Sequence, residues 1–476
     1  MTDLQNPLGS VRPKVLVVTG DPIGRKIAGP AIRAWNIAKY LADLSEVTLV
    51  SLSSVDRSHD QFKVVAVSPY EPAKFDQLEA WADVIVFQGH AMEFFESLQR
   101  STKILVADIY DPMHLEQLEQ ARTLPAEAWS EQVQHAVDVL NQQMARADFF
   151  ICASERQRNF YLGQLASLGR LNPANYAEDP DFRRLIDVVP FGLPREFPSH
   201  DRSVLKGELA GINAGDKLLI WSGGLYNWFD PKTLVRAVGI LSATRPEVRL
   251  FFQGTKHPNI GVPEMAIVAE SRALAEELGL LDSSVFFNQS WVDYSERHNY
   301  LAEADVGVST HFDHIETTMS FRTRILDYLW SSLPIVSTKG DYFAELIERE
   351  GLGRTVPAED AEALAVALEQ ALYDEAFRST TKSNLMRVRQ QFFWDRVLEP
   401  LGRFVANARH SPDSPSAIDR ALRSKVTGPA PLPSEPAGRA DVLYFSRRLV
   451  HHLRVGGVRA LVRASRRAAR RLSRRR

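Results

Sequence analysis

At 476 residues, with 45% hydrophobic and 24% charged side chains, the chain is too long for one ordinary core and too apolar for a disordered or fibrous protein. The formal net charge of −2 hides an asymmetry: residues 441–476 hold twelve Arg and one Asp, so this tail carries +11 and the rest of the chain about −13. A single cysteine, Cys152, rules out a disulfide framework and reads as a small core residue in a reducing compartment.

Residues 1–12 are polar and form a flexible start without the apolar stretch of a secretory signal, and no apolar run reaches the ~18 residues a bilayer span needs. From residue 14 a short aliphatic run ending at Gly20 predicts a buried strand. The loop 24–30, with Gly24, Gly29 and Pro30, leads into helical apolar spacing over 31–44. Further strands are predicted at 47–52, 63–67, 84–87, 104–108 and 149–153, separated by helical stretches, the signature of a parallel sheet wrapped by helices. Residues 188–194 close this half, and a linker runs to about Asp216.

The pattern then restarts. Strands at 217–224, 248–253, 284–288, 304–309 and 333–337 alternate with helices at 231–244, 265–278, 294–304, 342–350 and 361–373, and a short strand is expected at 353–357. An amphipathic helix over 392–404 is expected to pack back on the first half. The resulting division is 13–200 for one doubly wound α/β domain, 201–390 for a second, 391–409 for the returning helix, 410–440 for a Ser/Pro/Ala-rich linker and 441–476 for the basic tail.

In open parallel sheets ligands gather at the carboxyl ends of the strands, which here face the cleft between the domains. Gly29 lies in such a strand-to-helix loop, where a backbone without Cβ can approach a phosphate. Gly223 and Gly224 hold the matching place in the second half, and Lys256 with His257 follows the next strand. Asp111 and His114, just after the strand at 104–108, are placed to face the cleft from the first domain, although an Asp before a Pro is also a common turn former. Asp179 and Asp181, flanking Pro180, read as a solvated turn and not as a metal pair.

The densest chemistry lies in 311–337. Phe321, Ile325, Leu326 and Leu329 show helical spacing from Ser320 to Trp330, with Glu316, Thr317 and Ser320 at the handover from the preceding strand. A helix start offers unpaired N–H groups and a positive dipole end, and Arg322 and Arg324 add guanidinium forks suited to phosphate oxygens.

Over residues 13–405 the chain resembles family 4 retaining glycosyltransferases of the GT-B fold. The likeness is carried by Ala28-Gly29-Pro30, by 189–192 (Val-Pro-Phe-Gly), by 221–225, by 251–254 (Phe-Phe-Gln-Gly), and by 326–336 (Leu-Asp-Tyr-Leu-Trp-Ser-Ser-Leu-Pro-Ile-Val). It implies two Rossmann-like domains facing across a cleft and a nucleotide-diphosphate sugar as donor substrate. A saccharide or lipid-linked acceptor, retention at the anomeric carbon, and a reaction with neither cofactor nor metal follow from the same likeness. Asp327 stands where the family's second acid holds the donor ribose. Met319 occupies the place of the first acid, so its role passes to Glu316. The family's Arg in the second-domain glycine loop is Gly224 here, which leaves Arg322 and Arg324 for the diphosphate, with Asp111, Glu316 and Arg324 as the catalytic set. Alternatives on the same fold are a sugar-nucleotide epimerase, which would convert donor without acceptor, and a non-catalytic membrane-bound scaffold.

In the tail, Val458, Leu461, Val462, Ala468, Ala469 and Leu472 recur at three and four spacing among arginines. This predicts a basic amphipathic helix on an anionic membrane surface, hence a cytoplasmic protein on the inner face of the plasma membrane. The lack of aromatics after Phe445 argues against nucleic acid as the partner.

Overall fold

The predicted strands assemble into two all-parallel sheets in a computed structural model that describes residues 12–258 and 265–414. The first sheet contains β1 (Lys14–Thr19), β2 (Glu46–Ser51), β3 (Lys63–Ala66), β4 (Val84–Gln88), β5 (Ile104–Asp108), β6 (Phe149–Cys152) and β7 (Ile186–Val188), in the order β3-β2-β1-β4-β5-β6-β7. The second contains β8 (Lys217–Gly224), β9 (Val248–Gly254), β10 (Val285–Phe287), β11 (Val306–Ser309), β12 (Ile335–Thr338) and β13 (Gly353–Val356), in the order β10-β9-β8-β11-β12-β13. In each sheet the winding reverses beside the first strand, between β1 and β4 and between β8 and β11. That reversal opens a crevice at the strand ends.

Burial on both faces explains the aliphatic character of the strands. Successive residues of β1 feed opposite cores: Leu16 and Val18 enter one cluster with Ile85, Leu105 and Phe150, while Val15 and Val17 enter another with Ile37, Leu41 and Leu49. Cys152 is fully buried in the first of these, and burial raises its thiol pKa far above the ordinary range.

The stretch 311–337 departs from its predicted form. The helix expected from Ser320 begins four residues later, as Arg324–Ser331, and the handover before it forms a short helix of its own, Ile315–Met319, with extended backbone at Ser320 between the two. His314 starts the first piece by accepting the N–H of Thr317 at 3.2 Å, so Glu316 and Thr317 belong to a helix of their own. The helix over 392–404 is broken, into Trp394–Val397 and Glu399–Ala406 after a 3-10 turn Arg389–Phe392. Its Val397, Leu398, Leu401 and Val405 pack on first-domain residues such as Ile37, Leu41 and Phe149. The helix Glu375–Val388 carried no periodic signal strong enough to be predicted.

Residues 410–414, read from sequence as the start of a linker, are docked on the first domain. Arg170, itself fully buried, grips Asp413 at 2.9 Å, and the N–H of Ser411 donates to Asp148 at 3.0 Å. A buried guanidinium without this carboxylate would be costly, which fixes the chain here despite its Ser/Pro composition. The predicted N-terminal start, the remaining linker and the basic tail lie outside the described residues.

The chain crosses between the domains twice, at 189–194 and at 392–398. The crossings run side by side, with the N–H of Leu193 donating to the Phe392 carbonyl at 2.8 Å and that of Trp394 to the Leu193 carbonyl at 3.3 Å. Gly192 is required here, because a Cβ would stand 2.6 Å from the Trp394 ring and 2.9 Å from its Cα.

Candidate functional site

The second-domain side of the cleft is built on the helix Arg324–Ser331. Ile325, Tyr328 and Leu329 are fully buried, and the Tyr328 hydroxyl accepts the N–H of Ser222 at 3.0 Å and donates to the Val308 carbonyl at 2.7 Å. These bonds hold the helix start against the end of β8. There Gly223 has φ of +77°, a left-handed turn that glycine adopts without strain.

Arg324, the first residue of this helix, lies beneath that loop. One terminal nitrogen donates to the Gly224 carbonyl at 2.9 Å, and the guanidinium stacks 4.0 Å from the Trp221 ring centre and 4.2 Å from that of Phe229. The other terminal nitrogen, Nη1, is buried without a hydrogen-bond partner, and no carboxylate lies within ion-pair distance of Arg324 among the described residues. Burial lowers its pKa to about 10, which leaves it charged at neutral pH. A charged buried donor with nothing to bind is the strongest sign of an anion site in the molecule.

The other predicted cation, Arg322, is differently placed. Its Nη1 and Nη2 donate to the two oxygens of Glu316 at 2.8 and 2.7 Å, and Glu316 is fully buried and also receives the Ser320 hydroxyl. The structure therefore brings Glu316 and Arg322 together as each other's partners. Glu316 is one of the buried residues of the short helix Ile315–Met319. Asp327, one turn into the second helix, accepts the Ser222 hydroxyl and lies 3.5 Å from Arg297 Nε; its side chain is about a quarter exposed.

The first-domain side carries acids. Asp111 follows β5 and is hydrogen-bonded to Glu116 of the helix Met113–Gln120. Burial, opposed by the bond from Glu116 and the charge of His90, pushes the Asp111 carboxyl up to about 6. Burial and the neighbouring Asp111 and Glu316 carboxylates push Glu116 well above its ordinary value. Glu116 escaped the sequence reading; its signal was only an acid in the first helical turn. His114 points away from polar partners, stacked on Phe160 at 5.5 Å, and burial lowers its pKa.

Gly29 opens the helix Gly29–Ala42, and a Cβ there would meet only the edge of Phe191 at 4.0 Å, so packing alone does not demand a glycine. The loop before it is latched to the second domain. Arg25 pairs with Asp293 at 2.8 Å and its carbonyl accepts the N–H of Tyr294 at 2.8 Å, while Trp291 Nε1 donates to the Ile27 carbonyl at 3.1 Å. On the far side Gln157 bonds both the Tyr110 and Met319 carbonyls, at 2.8 and 2.9 Å. Beside these contacts a cavity of about 10 Å³ is lined by Gly224, Tyr226, His257 and Trp291. A cavity of about 880 Å³ lies elsewhere, by Asp148 and Phe149 at the start of β6 and Arg409–Pro412. Asp179 forms the expected solvated turn, accepting the N–H groups of Asp181 and Arg184.

Two parallel-sheet domains with the carboxyl ends of their strands turned to one cleft, a glycine loop over a buried arginine on one side, define the GT-B glycosyltransferase architecture. The family model described as glycosyl transferases group 1 matches residues 216–374, within the second domain. Solved structures agree in fold. Sucrose-phosphate synthase from Thermosynechococcus elongatus superposes with a TM-score of 0.61 at 16% identity, covering 83% of this chain and 99% of that one. WaaG, a glycosyltransferase involved in lipopolysaccharide biosynthesis, gives 0.56 at 16%, covering 83% and 100%. Anabaena HepE, solved in complex with UDP and glucose, gives 0.57 at 16%, covering 83% and 100%. No curated protein sequence matches the chain. Among the described residues no helix is long and apolar enough to cross a membrane.

Proposed function

We propose that the protein is a retaining glycosyltransferase that moves a sugar from a nucleotide-diphosphate donor to a saccharide or lipid-linked acceptor in cell-envelope polysaccharide or glycolipid synthesis. The observation that carries this reading is Arg324, a buried guanidinium with a free donor at the second domain's glycine loop. It brings an arginine to the loop where the family pattern has one and this sequence has Gly224. HepE is solved with UDP and with UDP-glucose, which makes uridine donors the first to try.

In this reading Arg324 and the helix start behind it take the charge that grows on the diphosphate as the bond to the anomeric carbon breaks. A metal on the diphosphate is not required for that. The Glu316–Arg322 pair forms the floor on which the donor sugar rests, and Asp327, released from Ser222, accepts the ribose hydroxyls. The Gly29 loop closes over the donor through Trp291 and Asp293, excluding water that would otherwise hydrolyse it. Asp111 and Glu116 line the acceptor side. The basic tail would hold the enzyme at the inner face of the plasma membrane, where a lipid-linked acceptor is found.

Calorimetric titration with UDP and with inorganic pyrophosphate tests the division of roles. Arg324→Ala is expected to weaken both, and Asp327→Ala to weaken UDP alone. If wild-type protein with an intact fold binds no nucleoside diphosphate and consumes no nucleotide sugar, the reading fails.

A further inference from the structure

A second cluster lies at the carboxyl edge of the first sheet, outside the donor site. His90 follows β4 by two residues, Glu93 sits in the short helix Ala91–Phe94, and His135 comes from the helix Ala126–Arg146. His90 Nδ1 is 3.0 Å and His135 Nε2 3.3 Å from the same Glu93 oxygen, and one donor atom from each residue lies within 4.8 Å of the other two. The imidazoles lie almost parallel, 11° apart with centres at 5.8 Å, one on each residue's approach to the carboxylate. Their backbone is pinned: Gln143 donates to the Gly89 carbonyl at 2.6 Å and Gln99 to that of Met92 at 2.9 Å.

We propose that His90, Glu93 and His135 form a binding site for a zinc-like divalent ion, with the fourth coordination position open on the solvent side of His90. Nitrogen and oxygen ligands bound to zinc at about 2.0–2.2 Å in tetrahedral array stand roughly 3.3 Å apart, close to the two separations seen. Two imidazoles and one carboxylate are also the three-ligand set of open zinc sites, in which water or a ligand oxygen fills the fourth place. Imidazole nitrogen selects zinc, copper or nickel over magnesium, which favours all-oxygen surroundings. His90 is the most open of the three, its side chain 42% exposed against 17% for His135 and 7% for Glu93. The site is separate from Arg324 and bears on the acceptor half of the cleft, since β4 and β5 are neighbours and His90 is an electrostatic neighbour of Asp111. Its existence does not depend on the donor reading above.

Full-length protein stripped with chelator, then titrated with zinc chloride and separately with magnesium chloride, tests the site. One equivalent of zinc is expected to bind, with Glu93→Gln and His135→Ala each weakening it at least about tenfold. Cobalt in place of zinc is expected to give the visible absorption of a four-coordinate nitrogen and oxygen site, absent in both variants. Zinc is also expected to raise the melting temperature of the wild type and not of the variants. His90→Gln, a change at an exposed side chain, gives the same reading if the other two fail to fold. The proposal is overturned if wild type and variants take up zinc equally, which would leave the three residues as hydrogen-bonded partners only, or if magnesium competes with zinc on equal terms.

Discussion

The two sides of the cleft are made of opposite chemistry. The second-domain side presents guanidinium groups held against aromatic rings, Arg324 on Trp221 and Phe229 and Arg322 on Phe229 at 4.8 Å. The first-domain side presents carboxyls and imidazoles, Asp111 and Glu116 with His90, Glu93 and His135 nearby. Charge on the first of these sides is fixed across the physiological range, because a guanidinium stays protonated even at a pKa of about 10. Charge on the other side depends on pH, and on any bound ion. In the proposed function the difference has a use: a leaving diphosphate requires constant positive charge, whereas an acceptor site must distinguish and orient one hydroxyl among many.

The largest effect is expected from breaking the pair beneath the donor side. Glu316→Gln leaves Arg322 buried without its carboxylate and is expected to lower stability by about 3–5 kcal/mol, measured by urea unfolding. Unchanged stability with lost transfer would instead make Glu316 a donor contact and blur the contrast between structural and free cations.

Next comes Arg324→Ala, expected to weaken UDP by about 10- to 100-fold, in keeping with roughly 1.5–3 kcal/mol for a hydrogen bond to a charged group. Arg324→Lys is expected to recover only part of this, because an ammonium loses the planar stacking on Trp221 and Phe229. An affinity for UDP that does not respond to either change removes the fixed-charge half of the comparison.

The titratable half is probed by pH. The Asp111 carboxyl, facing Glu116, His90, Glu316 and Asp108, binds its proton more tightly in the folded cleft than its ordinary 3.8 allows. Its stabilising contribution is therefore complete below about pH 4 and is lost as pH rises through about 6. Melting temperature is expected to fall over that window in the wild type and to run flatter in Asp111→Asn. A flat wild-type profile would mean that the acceptor half carries no strained proton.

The smallest effect is expected at the latch. Trp291→Phe removes one hydrogen bond to the Ile27 carbonyl while keeping a ring in place. A loss of about 1 kcal/mol or less is expected, seen as a slightly faster hydrolysis of donor without acceptor.

Much of this was legible in the sequence because the sheets are buried on both faces, so the strands and the doubly wound class follow from aliphatic runs alternating with helical spacing. The positions of Gly223 and Arg324 at the end of β8 could be read for the same reason, since that is where the topology of an open parallel sheet leaves its strand ends free. The partnership of Glu316 with Arg322 could not, since it depends on a short helix, Ile315–Met319, that five residues in the handover from the strand are too few to announce. Glu116 and His135 were invisible for a different reason. Each meets its partner through packing that no spacing announces, Glu116 with Asp111 where the chain turns from β5 into the next helix, and His135 with Glu93 from the helix that begins at Ala126. Asp413 similarly looked like linker until Arg170 was seen to need it.

The paired crossings at Leu193 and Phe393 set how the cleft can open. A single strand between two bodies is a tether that permits sliding and twisting. Two strands bonded side by side, with Gly192 pressed against Trp394, act as a hinge whose pin is the line through those residues, and rotation about it is the softest motion left. Admission of substrate is then expected as a swing that parts the Arg25–Asp293 edge most and the 189–194 edge least, a gradient that distance measurements between spin labels along the cleft would register.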